Sequence, residues 1–577
     1  MKGECERMSG SVSFNKSRVE TVIDAMAVSD GRARIVIDAG LHGNRVEIRH
    51  ADLFELGLRV ASRLIEVGCE PGDRVAVALP TSLSLLAAIV GIWQAGVIPV
   101  VLPKTGGKGE GIATLQRNIL KVAKPRVVIA EDQFGEVLVQ ASHEVGVSIL
   151  LGSDLIKSPG RQSLLPQTPC ATDISLLQFS SGSTGFPRGC VVRHGQMARN
   201  MLSIMKRARE GLNTYSDDRM LSWAPFNHDM GFNAFSFALM FGLDLVLIPT
   251  ESFSRSPYLW LSRISETQAT LSPAPSFAYR LLMNIQHARQ LSSIDLSVWR
   301  YAWMGAEPVY PDHIRGFFSA FSGRGLAPTT LRPNYGLAET VVVASMLPAM
   351  SDVSIIDVDK DSLLRNGDVQ APRDGQGGGL SLVGCGYPVD GVEIAITDQD
   401  GRSIGEDRQG AIFVRGSCVI ENYWNEPSCL REGGWLDTGD VGFLHQGQIY
   451  ISSRAKDVII RSGKNYAAND IERLIENCGA EREQRIIKRV AVFSVLYGAS
   501  QKKENGEEIV AVVESKSGRG DVFSLERAIR DHVFLDMGLS IDRIVIVPPG
   551  SIPLTTSGKV QRNVVREMYL SDRLAVK

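Results

Sequence analysis

The sequence predicts an α/β protein with a small β unit and a separate α+β module at its carboxyl end. Strand-like apolar runs alternate with helix-like segments over most of the 577 residues, which is typical of parallel sheets. Shorter alternating runs then predict an antiparallel β unit. Past Arg454 the composition changes again, and a helix, two strands and a second helix predict a compact module.

The elements of the α/β region follow from apolar runs bounded by turn residues. In chain order they are a short strand after Val46, a helix at 52–67 and strands at 74–79, 127–130, 177–179, 243–249 and 301–304. The run 85–102 is long enough to suggest a membrane span, but Gln94, Gly96 and Pro99 interrupt it. We therefore predict a buried helix, a turn and a buried strand there.

Residues 351–379 break the alternation, because they are rich in Asp, Gly and Arg and poor in apolar periodicity. They predict a surface insertion or linker that contributes little to the core. A stripe of Ile471, Leu474, Ile475 and Cys478 predicts the first helix of the carboxyl-terminal module. The remaining predicted elements are strands at 392–397, 411–414, 448–452, 490–496 and 508–514 and a helix from Leu525.

Composition indicates a globular protein that acts on small molecules. Hydrophobic residues make up 44% and charged residues 22% of the chain. The 62 basic and 64 acidic residues leave no net field to attract nucleic acid or an anionic membrane. The eight cysteines show no metal or disulfide spacing, and the first residues lack the apolar core of a signal peptide, so we expect a reducing cytoplasm.

Residues 180–189, SSGSTGFPRG, have the composition of a phosphate-binding loop. Hydroxyl groups would donate to an anion, glycines would let backbone N–H groups turn toward it, and Arg188 adds positive charge. The spacing is not that of a Walker A loop. Such decapeptides are also typical of flexible linkers, but strand-like runs flank this one and favour a strand–loop–strand cradle.

Other segments are ambiguous when read one at a time. In NYGLAET, Glu339 is equally typical of a Mg²⁺ ligand and of a glutamate in the first turn of a helix. In LDTGD, Asp440 could accept two ribose hydroxyls, although such an aspartate more often belongs to a turn. The basic segment SRAKDVIIRSGK is typical of a hinge or of a solvated face. His228 lies among aromatic residues, where a histidine is usually a core residue. Near the carboxyl end, SIPLTTSGKVQR contains Lys559.

Taken together, these segments resemble the adenylate-forming superfamily of acyl-CoA synthetases, nonribosomal adenylation domains and luciferases, from about Val46 to Arg562. Within it the sequence most resembles the fatty acyl-AMP ligases. The motifs that match this branch are LLQFSSGSTGFPRG, NHDMGF, APSFAY, IDLSVWRYAWMGAEPV, RPNYGLAE, GCGYPVDGVEI and SRAKDVIIRSGKNYAANDIE. The insertion before GCGYPV also lies where that branch has an extra segment.

The resemblance implies an N-terminal domain, 1–454, of two layered α/β subdomains and a small β unit, with the insertion at 351–379. A mobile C-terminal domain, 455–577, would carry Lys559 and rotate about Lys456. The implied cofactors are ATP and Mg²⁺. The implied partners are a carboxylic acid and an acyl carrier protein or a polyketide or nonribosomal peptide synthase domain, with no nucleic acid and no stable membrane insertion.

The resemblance also assigns roles to residues. Lys559, Glu339 and His228 would be catalytic, Thr184 and Glu339 would hold Mg²⁺, and Tyr335 would stack on adenine. Phe232, Phe235 and Phe277 would line an apolar acyl pocket, unless they are simply core residues. The full set of implied nucleotide contacts is Ser180, Ser181, Gly182, Ser183, Thr184, Gly185, Arg188, Gly305, Ala306, Glu307, Asn334, Tyr335, Gly336, Asp440 and Arg454.

The implied activity is ATP-dependent formation of an acyl-adenylate with release of pyrophosphate, followed by acyl transfer to a carrier-protein thiol. The alternatives are an acyl-CoA ligase, an amide-forming ligase, or a nucleotide-binding homologue without catalysis, against which the intact Lys559 argues. Arg188 stands where a lysine is commoner and Ser453 where a glycine is usual. The stretch 466–468 replaces a His-Tyr-Pro run near the expected path of the acceptor, so the second half-reaction stays open.

Overall fold

The structure is a computed structural model that describes residues 19–40, 45–103, 110–131, 136–157, 168–180, 187–210, 218–372, 379–461, 464–478, 486–496, 507–516, 522–555 and 559–574. Within these ranges, every helix is too short or too polar to cross a membrane.

The helices are α1 (Val22–Val28), α2 (His50–Glu66), α3 (Leu83–Gln94), α4 (Glu110–Ala123), α5 (Glu136–Glu144), α6 (Gly152–Lys157), α7 (His194–Arg209), α8 (Asp229–Phe241), α9 (Thr250–Arg255), α10 (Tyr258–Thr267), α11 (Ser276–Met283), α12 (Pro311–Phe321), α13 (Lys360–Asn366), α14 (Ala468–Asn477), α15 (Val522–Met537) and α16 (Arg562–Leu570).

The strands up to the end of the large sheet are β1 (Arg34–Asp38), β2 (Arg45–Arg49), β3 (Arg74–Ala78), β4 (Ile98–Val101), β5 (Val127–Ala130), β6 (Ser148–Leu151), β7 (Ile174–Ser180), β8 (Arg188–Arg193), β9 (Arg219–Ser222), β10 (Asp244–Leu247), β11 (Leu271–Pro275), β12 (Tyr301–Gly305), β13 (Leu331–Tyr335), β14 (Ser345–Met346), β15 (Ile355–Asp359), β16 (Gly379–Val383) and β17 (Tyr387–Pro388). The later strands are β18 (Val392–Thr397), β19 (Gly410–Gly416), β20 (Leu430–Arg431), β21 (Trp435–His445), β22 (Gln448–Arg454), β23 (Val458–Arg461), β24 (Lys464–Ala467), β25 (Ile487–Leu496), β26 (Glu507–Ser515) and β27 (Arg543–Val547).

Two sheets with parallel cores form the α/β region, as the alternation predicted. The larger has nine strands in the order β17-β14-β13-β12-β11-β9-β10-β1-β2. Its inner strands, from β1 through β10, β9, β11 and β12 to β13, pair in parallel, so their carboxyl ends lie along one edge. The second sheet has the order β4-β3-β5-β6 and is wholly parallel.

The apolar run 85–102 folds as predicted. Helix α3 is followed by Gly96, whose φ of +69° makes the turn, and then by β4, all four residues of which are buried. A left-handed φ costs glycine little, which explains its position between two buried elements.

The prediction that residues 351–379 contribute little to the core is wrong. Strands β15 and β16 pair antiparallel around α13, and Val358 and Leu363 are buried against Phe443 and Tyr450 of the β unit. Leu364 packs against the core of the carboxyl-terminal module. The few apolar residues are separated by aspartates and a helical turn, so they follow neither the period of a strand nor that of a long helix.

The β unit and the carboxyl-terminal module follow the predicted order. The unit is antiparallel, with the order β18-β19-β21-β20 and with β22 paired to β21. In the module, β25, β26 and β27 form a mixed sheet, and Ile471 and Ile475 of α14 are fully buried. Cys478 is the C-cap of α14 rather than a helical residue. The cysteines in the described part of the chain are all free thiols.

Candidate active site

The candidate site lies where β11, β12 and β13 end. A Cβ on Gly305, the last residue of β12, would stand 2.7 Å from Asn334 Oδ1 and 3.0 Å from the Asn334 carbonyl oxygen. A Cβ on Gly336 would stand 2.0 Å from the Val342 carbonyl oxygen. Gly305 therefore lets the ends of β12 and β13 approach closely, and Gly336 lets the chain just after β13 pass close to Val342. In open α/β sheets, ligands bind at this carboxyl edge.

Two further features mark this edge as specialised. Ala306, the residue after β12, has a φ of +64°, which is uncommon for a residue with a side chain. Asn334 Oδ1 is buried and accepts no hydrogen bond from the described residues. A buried acceptor without a donor is costly, so it points to a ligand or water as its partner.

Lys559 extends from the carboxyl-terminal module to this edge. Its Nζ donates to the carbonyl oxygen of Ala306. Burial lowers the pKa of Lys559, while the nearby carboxylates of Glu307 and Asp229 raise it and Arg454 lowers it further. Lys559 therefore interacts electrostatically with two acidic side chains, Glu307 just after β12 and Asp229 at the start of α8.

Glu307 is held by the start of α11. Its carboxylate accepts the backbone N–H of Phe277, one of the first N–H groups of that helix. Burial raises the pKa of Glu307, and Lys559 and the Phe277 N–H act in the opposite direction. Glu307 thus holds the backbone at the start of α11 and interacts electrostatically with Lys559.

His228 and Asp229 form a second pair at the start of α8. His228 Nδ1 lies 2.8 Å from Asp229 Oδ1, and the same oxygen accepts the N–H of Met230 at 2.7 Å. Burial opposes ionisation of Asp229, but His228 and then Lys559 outweigh it, so the pKa of Asp229 is lowered. The ionised aspartate fixes the His228 ring, which is partly exposed rather than a core residue.

Asp440, Arg454 and Tyr335, which the resemblance assigns to the nucleotide site, lie together in the structure. Asp440 lies in β21, opposite Arg454 of β22, and is therefore in a strand rather than a turn. Arg454 Nε is 2.9 Å from Asp440 Oδ1, and the Tyr335 hydroxyl donates to Asp440 Oδ2 at 2.8 Å. Asp440 is buried, whereas the Arg454 side chain is half-exposed. A carboxylate with about four lone-pair sites can keep both partners and still accept a ligand hydroxyl.

Glu339 lies in a single 3₁₀ turn, Ala338–Thr340, not in the first turn of an α-helix. The hydroxyl of Tyr423 donates to Glu339 Oε1 at 2.7 Å. The Arg188 guanidinium carbon lies 3.6 Å from the centre of the Tyr423 ring, and Arg188 Nε donates to Glu426 at 3.0 Å. Tyr423 thus contacts both the end of the glycine-rich loop and the candidate metal ligand.

Tyr423 and Glu426 were missed by the sequence analysis. They lie more than 80 residues after Glu339 and more than 230 after Arg188, and their only signal is the aromatic and acidic run ENYWNEP. The antiparallel bridge between Cys190 and Tyr423 brings this run beside β8.

Some predicted residues cannot be placed. The side chain of Ser180 and the whole of 181–186, including Gly182, Thr184 and Gly185, lie outside the described residues. Where the chain is described, it has no cluster of three or more His, Cys, Asp or Glu side chains that could bind a metal ion. Magnesium is usually held by one or two carboxylates together with substrate phosphates, and Glu339 fits that arrangement.

The three candidate acyl-pocket residues lie in two different environments. Phe232 and Phe235 are fully buried, with Phe232 in edge contact with Trp93 at 5.6 Å. Phe277 is half-buried and lies edge-on to Trp223 at 6.2 Å. Phe277 is therefore the member of the set that lies at the strand edge, beside Glu307.

Comparison with protein families agrees with this geometry. Residues 24–424 match the model of AMP-binding enzymes, and residues 456–577 match that of the AMP domain of Disco-interacting protein 2-like proteins. The chain belongs to the AMP-binding enzyme family. It is a ligase, and it activates an acid as the acyl-adenylate.

Individual relatives define the branch. The long-chain-fatty-acid–AMP ligase FadD26 of Mycobacterium marinum is 30% identical over 545 residues, which are 89% of this chain and 90% of the relative. The 4-hydroxyphenylalkanoate adenylyltransferase of the same organism is 30% identical over 533 residues, covering 87% and 82%. A chain solved in a study of fatty acyl-adenylate ligases from E. coli and L. pneumophila is 28% identical, with a TM-score of 0.86 over 96% of this chain and 98% of that one. The predicted fold and the resemblance to fatty acyl-AMP ligases are confirmed.

Proposed function

We propose that the protein uses ATP and Mg²⁺ to convert an apolar carboxylic acid, fatty or aryl-substituted, into its acyl-adenylate and then passes the acyl group to the phosphopantetheine thiol of an acyl carrier protein. The observation that supports the adenylation step is the position of Lys559, whose ammonium group donates to the Ala306 carbonyl oxygen at the carboxyl edge of the large sheet and interacts electrostatically with Glu307 and Asp229. The relatives that act on long-chain and hydroxyphenyl acids support an apolar substrate.

In the adenylation step, an oxygen of the substrate carboxylate attacks the α-phosphorus of ATP. The bond from that phosphorus to the bridging oxygen breaks, and pyrophosphate leaves with the electron pair. Negative charge accumulates on the α-phosphate oxygens, and Lys559 stabilises it. Because the lysine is already positioned by Ala306, little reorganisation is needed when the charge develops.

The nucleotide would be held mainly by the N-terminal domain. Asp440 and Arg454 would bind the ribose hydroxyls, and the Tyr335 ring, fixed by its hydrogen bond to Asp440, would lie against adenine. Residues 305–307 and Asn334 would line the pocket, and the loop containing Thr184 would bind the β- and γ-phosphates.

Glu339 and Thr184 would hold the magnesium ion, which when bound neutralises charge on the phosphates. A glutamate carboxylate is a hard oxygen ligand, as this cation requires. The hydroxyl of Tyr423 occupies one lone pair of Glu339 and orients the carboxylate.

The acyl chain would extend from the strand edge along α11. Phe277 is half-buried and close to Trp223, so its ring could contact a bound apolar chain. Phe232 and Phe235 would form the packed wall behind that space rather than its surface, since neither has exposed area.

Contacts made by the insertion support a carrier protein, rather than free CoA, as the acceptor. Lys360 Nζ donates to the carbonyl and the carboxylate of Asp536, at 2.9 and 2.7 Å, and Lys464 Nζ pairs with Asp361 at 2.5 Å. Leu364 adds an apolar contact with the same module. These contacts attach the carboxyl-terminal domain to the insertion and would restrain the rotation that admits free CoA, which favours a carrier protein.

An acid-dependent ATP–pyrophosphate exchange panel tests the first half-reaction. It should include saturated fatty acids of increasing length and hydroxyphenylalkanoic acids, with acetate as the control. The best acid is then supplied with CoA or with a holo-carrier protein. Exchange with apolar acids followed by acylation of the carrier supports the proposal, whereas efficient acyl-CoA formation without a response to the carrier assigns the protein to the CoA ligases.

A further inference from the structure

Arg562, close to Lys559 in the chain, contacts three polar side chains. It begins α16, three residues after the lysine, and only 13% of its side chain is exposed. Its guanidinium pairs with Asp457 at 2.5 Å and with Glu472 at 2.9 Å, and it also donates to Asn469. Such a planar group with five donors fixes geometry in a way that a lysine cannot.

Asp457 ends the 3₁₀ turn Ala455–Asp457, the hinge turn, which follows β22. Just before this turn, Arg454 pairs with Asp440 of the N-terminal domain. At its end, Asp457 pairs with Arg562 of the carboxyl-terminal domain. Within three residues, the ion pairs made by this segment therefore change from a partner in the N-terminal domain to a partner in the carboxyl-terminal domain.

On its other side, Arg562 adjoins the hairpin that presents the lysine. The described residues of this Lys559 hairpin are 553–555 and 559–561. The Thr555 N–H donates to the Lys559 carbonyl oxygen at 2.7 Å, and the Lys559 N–H donates to Thr555 Oγ1 at 3.0 Å. The Gln561 N–H donates to the Pro553 carbonyl oxygen at 3.0 Å. These hydrogen bonds hold residues 553–555 against residues 559–561, up to the residue before Arg562.

We propose that Arg562 is a positioning residue that joins the hinge turn and the Lys559 hairpin into one rigid body. The pivot of any domain rotation then lies at Ala455 and Lys456, and rotation there carries Lys559 to or from the α-phosphate. The expected effect on kcat rests on the proposed function, whereas the linkage between the hinge turn and the Lys559 hairpin does not. A displacement of about 1 Å at a reacting group can cost about a hundredfold in rate.

Asp457→Asn is the variant that tests this linkage most selectively. It keeps the size of the side chain and leaves the pair between Arg562 and Glu472 in place, while the charged contact to the hinge turn is lost. We expect a ten- to hundredfold fall in the kcat of adenylation with an unchanged Kd for ATP, and partial recovery in Asp457→Glu. Arg562→Gln should show at least as large a loss, although it also destabilises the domain by leaving carboxylates unpaired.

The control is Asp542→Asn, which removes the ion pair with Arg461 in the same domain without touching Arg562. It should lower thermal stability as much as Asp457→Asn does, and kcat should stay at the wild-type value. If both variants lose stability and neither loses kcat, Arg562 is merely structural and the proposal is wrong.

Hydrogen exchange provides a readout that needs no substrate. In Asp457→Asn, peptides containing Val458 and Lys559 should both exchange faster, because the two segments share one anchor. Faster exchange at Val458 alone would overturn the linkage. Absence of acid-dependent ATP–pyrophosphate exchange by the wild-type enzyme would instead refute the proposed function. Hydrogen exchange would still test whether Arg562 links the hinge turn to the Lys559 hairpin.

Discussion

Replacing Lys559 with alanine is the perturbation that bears most directly on the site. The substitution removes the ammonium group but leaves the backbone hydrogen bonds between Lys559 and Thr555 intact. Because the ribose contacts proposed for Asp440 and Arg454 are unchanged, ATP should still bind. The carboxylates of Glu307 and Asp229 would then lose the nearby ammonium group that interacts with them.

The expected magnitude follows from this placement. Two unit charges about 4 Å apart attract by about 4 kcal/mol at the effective dielectric constant of a protein surface. Removal of one preorganised group that stabilises transition-state charge typically costs about a hundred- to a thousandfold in kcat. We therefore expect Lys559→Ala to lower adenylation by about that factor.

The assay is pyrophosphate exchange at saturating ATP, with the Kd for ATP measured separately by calorimetry. Lys488→Ala, an exposed lysine of the same domain, is the matched control and should retain full activity. If Lys559→Ala kept most of the wild-type exchange rate, the assignment of Lys559 would be refuted.

Three further predictions concern the metal, the acceptor and acid stability. Glu339→Gln should raise the Mg²⁺ concentration needed for half-maximal exchange, because an amide is a poorer ligand for this cation; an identical metal titration would remove Glu339 from the metal site. Lys360→Ala should increase acyl-CoA formation severalfold with little change in Tm, since a partly exposed ion pair contributes less than about 1 kcal/mol; no gain in CoA ligation would contradict the restraint. Burial lowers the pKa of His194 to about 4, so the folded state disfavours the charged form of this residue. The free energy of unfolding should therefore fall as the pH drops from about 6.5 through 4, by on the order of 3 kcal/mol for this residue. In denaturant titrations at pH 7 and 5, His194→Gln should lose less stability between the two pH values than the wild type, and equal losses would exclude this role.

Much of the fold could be predicted from local sequence. Strand β5 and strand β18 were predicted with their observed bounds, because short apolar runs between turn residues have few other solutions. Strand β12 was predicted to within one residue of its observed end at Gly305, whereas β13, which contains Pro333, was not predicted, because proline is unusual inside a sheet.

The insertion shows where such reasoning fails. Its core consists of Val358 and Leu363 packed on Phe443 and Tyr450, and these contacts join segments about 80 residues apart in the chain. Local periodicity carries no information about them. Deletion of the insertion would uncover Phe443 and Tyr450, so a substitution of Lys360 is the cleaner test of acceptor choice.

The resemblance to adenylate-forming enzymes grouped Asp440 with Arg454, but the strand that contains Asp440 was not predicted from the sequence. Asp440 and Arg454 lie in consecutive strands, so a hairpin brings them together. Tyr423 comes beside Glu339 only through tertiary packing of the β unit on the α/β region, and nothing in the spacing of the sequence indicates this contact.

The central claim is that a carboxylate oxygen of the substrate attacks the α-phosphorus of ATP. Single-turnover reaction of the enzyme with an acid labelled with ¹⁸O in both carboxylate oxygens, followed by mass spectrometry of the AMP released on acyl transfer, tests it most directly. The proposed mechanism predicts AMP that carries one ¹⁸O atom, together with unlabelled pyrophosphate. Unlabelled AMP, or the formation of ADP and phosphate, would contradict it.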